Sequence, residues 1–517
     1  MSPRRWCFLV AASLSLWFFA TRSPANDWPQ WGGTASKNMV SEEKGLPYSF
    51  EPGEKDPHGG RIKMGTTKNV RWAIRVGQNT CSTPTIAGGK VFIGSVQDKA
   101  GVLLCLDEKT GKLLWQWTGP GRDDVPGQIG GRKLNFRTMQ ASLGVCSSPL
   151  VEGNRVYFVN NRCEVTCLDT NGDQKGSGDN NARTLWTFDM WRAGVRPSDA
   201  CNGSAVIDGD CLYVCTSNGV DRLTERKDDD QGKPPAPDAP NLIVLDKKTG
   251  RLLARDDAPI GPNLLHGQWS SPSIGNVGDR KLVFFGGGNG VCYAFEALAS
   301  APQHSVKLKT IWSYDCDPPE YKSFGGLQRI THYCRGDKRR GDSINTADDG
   351  AFVGMSEIIG TPVFYRNHVY VAIGRDPAHG RGRGALHCVD ATKTGDVTKT
   401  GRIWCYQGLD RSLATVSIAE GLLYAGDVAG RLHCLDAETG RCYWIHEGKA
   451  EGIASSLVAD GKIYYPTTKH LWVLASGKEL KVLGKISLGA SIWATPVAAN
   501  GTLYLASKKY LWAVHSE

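Results

Sequence analysis

The side chains with the most capacity for chemistry crowd into one glycine-rich run, Gly374 to Gly384, which holds Arg375, Asp376, His379, Arg381 and Arg383. Guanidinium groups grip carboxylates and phosphates through paired hydrogen bonds, so the run fits an anionic ligand or an acidic partner surface; a solvated loop fits the same composition. His332, Cys334 and Asp337 are metal-ligating types, but their spacing matches no metal motif. Gly286-Gly287-Gly288-Asn289-Gly290 would cradle a phosphate if it opened a helix, and instead it joins two strand-like segments. No Cys-Cys pair, Cys-x-x-Cys, Cys-x-x-Cys-His or His-Glu-x-x-His occurs, so haem-attachment, zinc and metalloprotease readings have no anchor. Carboxylates are plentiful, yet the sequence pairs no two of them in space, which leaves a polysaccharide hydrolase without named acids.

The first 25 residues read as an address. Arg4 and Arg5 precede the apolar stretch from Trp6 to Ala20, and Ser23-Pro24-Ala25 supplies the small residues of a cleavage site after Ala25. This predicts export to the periplasm or the exterior. Cys7 stands ahead of the apolar stretch, so it is no lipobox cysteine. Cleavage leaves 15 of the 16 cysteines, an odd number, and lowers the formal charge from +9 to +6. The remaining basic residues are scattered. The densest run, Lys338-Arg339-Arg340, is followed by Asp342, Asp348 and Asp349, so a nucleic-acid surface is not expected. No later apolar run approaches the roughly 18 residues of a membrane span.

An internal repeat must position all of these residues. Ser82-Thr83-Pro84 leading to Val91-Phe92-Ile93 returns as Ser147-Ser148-Pro149 leading to Val156-Tyr157-Phe158. It returns again from Thr361-Pro362 and Thr495-Pro496, with degenerate copies near Ser204, Ser270, Thr415 and Ser455. Each copy continues through a third apolar segment ending in an acid, then a turn, then Trp, as in Leu104-Cys105-Leu106-Asp107, Thr110-Gly111-Lys112 and Trp115. The segments are short, alternating and bounded by Gly, Asn and Asp, which is strand and turn chemistry. Eight copies of four strands predict an all-β fold, an eight-bladed β-propeller of four-stranded antiparallel blades over residues 69–517, behind a leader (1–25) and an N-terminal extension (26–68). The last copy stops at Val514 after three strands. The missing strand stands at the front as Val70 to Val76, and closing the ring this way leaves no open edge.

Trp72, Trp115, Trp186, Trp312, Trp404 and Trp444 fill one repeat position, which makes them glue between blades rather than ligands. Blade 3 has Ala254 there, and blade 7 offers no clear residue. Cys105, Cys167, Cys388 and Cys434 share a third-strand slot held elsewhere by Val244, Ala294, Val473 and Ala513, so they are read as small buried hydrophobes. Cys81 and Cys146 share a first-strand apolar slot with Trp269, Ile359 and Trp493.

The pattern Asp-x-x-Thr-Gly-Lys/Arg-x-x-Trp, with its Ser/Thr-Pro and Gly-x-x-Val-Tyr segments, resembles the pyrroloquinoline-quinone (quinoprotein) repeat of eight-bladed propellers. Trp28-Pro29-Gln30-Trp31-Gly32-Gly33 is similar to the opening motif of secreted members. The resemblance implies one of two functions. Periplasmic alcohol dehydrogenases of this family carry the quinone and Ca²⁺; other members are non-enzymatic, such as the lipoprotein of the outer-membrane barrel-assembly machinery. The dehydrogenases hold the quinone under a disulfide between adjacent cysteines, and this chain has no such pair. The expectation is therefore an exported, non-catalytic propeller that binds an envelope or extracellular protein and needs no cofactor. The alternative is a quinone- and Ca²⁺-dependent dehydrogenase of alcohols or sugars with an atypical pocket. Loops between blades and between second and third strands emerge on one side of such a fold. The insertions 118–145, 189–200, 218–240, 315–356 and 374–384 all fall there, so that face is expected to do the work, with Trp269, Trp493 and the 374–384 residues as its candidates.

Overall fold

The computed structural model describes residues 26–57, 60–119, 143–173, 181–197, 200–219, 234–319, 356–375 and 383–516, and the backbone of 128–129 and 132–133. Eight sheets, each with four antiparallel strands in sequence order, follow one another along the chain. Blade 1 runs Thr85–Ala87, Lys90–Gln97, Ala100–Asp107 and Leu113–Thr118. Its second and third strands are buried along both faces, because neighbouring blades cover each side; the fourth, at the rim, is buried only at Trp115. Among the described residues no helix is long and apolar enough to cross a membrane.

The ring closes where the repeat arithmetic places the seam. Val70–Arg75 is the outer strand of blade 8, antiparallel to Tyr510–Val514, with Trp72 opposite Ala513 and Val70 opposite Val514. In the other seven blades the ladder between third and fourth strands shifts register beside one pairing: Cys105 with Trp115, Cys167 with Trp186, Val244 with Ala254, Ala294 with Trp312, Cys388 with Trp404, Cys434 with Trp444 and Val473 with Gly484. The extra residue of the bulge turns the indole over the blade face, and the small residue opposite leaves it room.

Each indole then reaches the next blade. Trp72 Nε1 donates to Glu108 O, Trp115 to Thr170 O, Trp312 to Ala391 O, Trp404 to Ala437 O and Trp444 to Gly477 O, at 2.9–3.2 Å. The other ring face meets an aromatic of its own blade's second strand, such as Tyr370 with Trp404 at 5.9 Å between centroids. The repeat's Asp-x-x-Thr-Gly turn is the partner surface. Asp107 Oδ1 accepts from Thr110 N (2.9 Å) and Oγ1 (2.6 Å), and Gly111, at φ +69°, lies so close under Trp72 that a Cβ there would stand 2.6 Å from the ring. The motif is thus consumed by blade packing.

Two blades lack the indole, and other chain replaces it. Beside Ala254 of blade 3, the turn 297–309 of blade 4 folds back, adds Val306–Lys307 as a parallel fifth strand and buries Leu308. In blade 7 the slot holds Gly484, because the backbone of Tyr48 crosses there.

Tyr48 belongs to the N-terminal extension, which is built into the propeller. Residues 28–41 lie on the axis and touch the first strand of every blade. Trp28 exchanges two backbone hydrogen bonds with Ile86, Pro29 O accepts from Val151 N, Ala35 O from Ile274 N, Ser36 O from Phe364 N and Met39 O from Val458 N. Lys37 Nζ donates to Ala205 O, the Asn38 amide pairs with both backbone groups of Ile418, and Ser41 Oγ donates to Ala498 O. Gly32 and Gly33, both at positive φ, coil this segment tightly; a Cβ on Gly32 would collide with the Lys37 backbone. The chain then runs outward between blades 7 and 8, with Tyr464 OH on Pro47 O (2.8 Å) and Trp512 Nε1 on Pro52 O (3.0 Å), before becoming the closing strand.

Candidate functional site

The axial segment sits toward the face of the tight turns, so among the described residues the channel becomes a well closed on that side and lying toward the insertion-rich face. It encloses about 230 Å³, with Trp31 among the residues that bound it. The start of each first strand lines it in two rings. The inner ring is hydroxyl: Thr83, Ser148, Ser204 and Ser271 from blades 1–4, and Thr361, Thr415, Ser455 and Thr495 from blades 5–8. These side chains link blade to blade. Thr83 N donates to Ser148 Oγ, Ser148 N to Ser204 Oγ, Ser204 N to Ser271 Oγ, Thr361 N to Thr415 Oγ1, Thr415 N to Ser455 Oγ, Ser455 N to Thr495 Oγ1 and Thr495 N to Thr83 Oγ1, at 2.8–3.1 Å. Trp31 Nε1 joins this ring through Thr361 Oγ1 at 3.2 Å. The Ser/Thr of the Ser/Thr-Pro motif is therefore what binds the centre together.

Two residues nearer the mouth lies a second ring of Cys81, Cys146, Asn202 and Trp269 from blades 1–4 and Ile359, Leu413, Ile453 and Trp493 from blades 5–8. Trp269 is buried, with the His266 ring edge-on at 4.6 Å, and Lys508 Nζ stands 3.6 Å over the half-buried Trp493 ring. No side chain among the described lining residues is charged. Sequence reasoning found the slot through Cys81, Cys146, Trp269, Ile359 and Trp493, but not its eightfold closure, because Asn202, Leu413 and Ile453 share no residue type with them.

Outside the well, on the same face, lies a buried polar arc. Asp317 Oδ1 accepts from Ser356 N at 2.8 Å; burial pushes its carboxyl up to about 8, against the pull of the Arg375 guanidinium. His266 Nδ1 lies 3.7 Å from Glu357 Oε1. Arg375 is thus not a solvated loop residue but part of the packed junction of blades 4 and 5, and Arg411 donates to its carbonyl at 3.4 Å. Arg383, by contrast, is exposed and bridges Asp410 through its backbone. Asp376, His379 and Arg381 lie outside the described residues, as do His332, Cys334 and Asp337.

A third group joins an acid, a histidine and a tyrosine across two blades. Asp427 Oδ2 stands 3.1 Å from His433 Nε2 and 2.8 Å from Arg431, and His433 Nδ1 meets Tyr406 OH at 3.1 Å. Burial would raise the Asp427 carboxyl, but those donors prevail and hold it below its usual range. The same two positions carry Tyr314 with His387 one blade earlier, where no acid follows, and His446 with Trp472 one blade later. In blades 4–6 the slot two residues after the blade tryptophan therefore packs on the next blade's third strand, and the Asp427 group is one variant of that contact. His387, fully buried, has its basicity pushed down to about 4 by desolvation.

The family described as outer membrane protein assembly factor BamB matches residues 62–228 and 382–480. Among solved structures, BamB from Moraxella catarrhalis is 12% identical, with 86% of this chain and 97% of that chain covered at a TM-score of 0.51. A europium-containing methanol dehydrogenase is 12% identical, with 94% and 91% covered at a TM-score of 0.56. At such identities these likenesses establish the fold. No curated protein matches the chain in sequence.

Proposed function

We propose that this chain, which belongs to the repeat-propeller family described as outer membrane protein assembly factor BamB, is a partner-binding propeller that receives an envelope or extracellular protein on its insertion-rich face. The observation that carries this reading is the well: one face of the axis is sealed by the chain's own residues 28–41, and the described residues leave a cavity on the other side, the side from which the insertions depart. An assembly factor works by holding other proteins, and the leader-like residues 4–25 support export.

Pyrroloquinoline quinone, the cofactor of the family's dehydrogenases, is a tricarboxylate. Burying carboxylates without cationic partners costs several kcal/mol each. The described lining of the well offers hydroxyls, indoles, thiols, aliphatic groups and the Asn202 carboxamide but no guanidinium or ammonium; the nearest cation, Lys508, lies over the Trp493 ring. Among the described residues no cluster of three or more His, Cys, Asp or Glu is arranged for a metal. The described donor set does not fit the group, which supports the partner-binding reading, and no catalytic step is assigned.

The test uses immobilised full chain and cell-envelope extract. Partners captured by the wild type should be lost when residues 320–355 are replaced by a short linker, and kept when Lys481, on the outer turn of blade 7, is changed to Glu. Unchanged capture after the replacement overturns the reading. So does a stoichiometric chromophore with dye-linked alcohol oxidation after addition of the quinone and Ca²⁺, which would establish the dehydrogenase instead.

A further inference from the structure

We propose that Cys81 and Cys146 form a disulfide that clasps blades 1 and 2 across the rim of the axial well, closed by exchange with a disulfide-bearing oxidant such as glutathione disulfide. Both are thiols in this structure. They hold the same slot in neighbouring blades, and the other six positions of that ring carry Asn, Trp, Ile or Leu. The two positions that follow them are already tied across the gap, Ser82 Oγ to Ser147 O at 3.0 Å and Thr83 N to Ser148 Oγ at 3.1 Å. The two first strands therefore run side by side where the thiols stand, both side chains line one cavity, and Cys146, whose Sγ donates to Leu143 O at 3.7 Å, lies near enough to Cys81 for that thiol to raise its own pKa. Disulfide formation requires such neighbouring strands, with Cα atoms about 4.4–6.8 Å apart.

Of the other thiols nearby, Cys201 stands close to both Cys146 and Cys163 and is the competing partner. Cys163 Sγ donates to Thr216 O and Cys215 Sγ to Gln268 O, both at 3.3 Å, and Cys105 and Cys167 are sealed opposite their blade tryptophans.

The pair is asymmetric, which sets the order of events. Cys81 is half-buried at the rim, whereas Cys146 is buried and its thiol is pushed well above the usual range, by the neighbouring Cys81 thiol and by desolvation. The Cys81 thiolate attacks the oxidant's disulfide and expels one thiolate. Cys146 then gives its proton to solvent and attacks the Cys81 sulfur, breaking the mixed disulfide and expelling the second thiolate. Two protein thiols lose two electrons, and one disulfide is reduced to two thiols. The step rests on no assumption about what enters the well.

The test incubates the folded, reduced full chain with oxidised glutathione, blocks free thiols with N-ethylmaleimide and maps peptides without reduction. The expected result is one cross-linked peptide joining Cys81 and Cys146. Cys146→Ser should trap one glutathione on Cys81, and Cys81→Ser should leave Cys146 unmodified until the chain is unfolded. Recovery of both residues as maleimide adducts after the incubation overturns the proposal, and so does a Cys146–Cys201 link. Melting curves of the two serine variants matching the wild type would show that the trapping is read from folded protein.

Discussion

Trp404 shows what one residue does in this molecule. It is buried opposite Cys388, meets the tilted Tyr370 ring, donates to Ala437 O of the next blade and covers the turn glycine Gly440, so its removal opens a cavity between two blades at once. Trp404→Ala should cost about 3–5 kcal/mol in denaturant unfolding. Trp493→Ala, half-buried at the mouth of the well, should cost about 1 kcal/mol. Equal costs would mean that Trp404 is not an inter-blade contact. The position was legible because Trp recurs at a constant offset from Asp-x-x-Thr-Gly, and the small residues opposite it were legible from the same alignment. The Tyr406–His433 contact was not, because the slot two residues later is filled by Tyr, His, Phe, Trp or Ile and shows no single residue type.

Among elements, the axial segment carries the most consequence and was the least legible. Its partners are single residues spaced from Ile86 to Ala498, one per blade, so no local pattern announces them. The motif around Trp28 was visible; that it seals a channel follows only from coordinates. The segment also buries an amine. Lys37 is fully enclosed, with Gln30 Oε1 at 2.9 Å and Ala205 O at 3.0 Å, and desolvation lowers its pKa to about 7 from an ordinary value of 10.5. Below pH 7 both folded and unfolded chains hold the proton, and the cost of burying the ammonium is present in full. Between pH 7 and 10.5 the folded chain has released it while the unfolded chain keeps it, so this group makes stability rise with pH. The stability difference between wild type and Lys37→Met should therefore shift toward the wild type by about 2 kcal/mol from pH 7 to pH 9 in paired denaturation curves. A difference that stays constant with pH would show that the amine keeps its charge inside the fold.

At the scale of the whole molecule the ring has no ends, and that separates it from a stack of the same repeats. In an open stack, stability is a sum of neighbour terms and damage fades with distance. Here the closing strand Val70–Arg75 and the axial segment belong to one stretch of chain, and that stretch holds the first strand of every blade. Releasing the seam beside blade 8 releases Trp28 to Ser41 from the axis, which removes a hydrogen-bond partner from blade 4 across the wheel, where Ala35 O meets Ile274 N. Trp72→Ala weakens the seam at its own contacts, Glu108 O in blade 1 and Tyr504 in blade 8. Amide hydrogen exchange should then show the free energy of opening reduced by the same about 3 kcal/mol at Phe284 in blade 4 as at Leu503 in blade 8, because both open only with the whole ring. If protection falls in blades 8 and 1 while blade 4 is unchanged, the blades open one by one and the axial segment does not couple them.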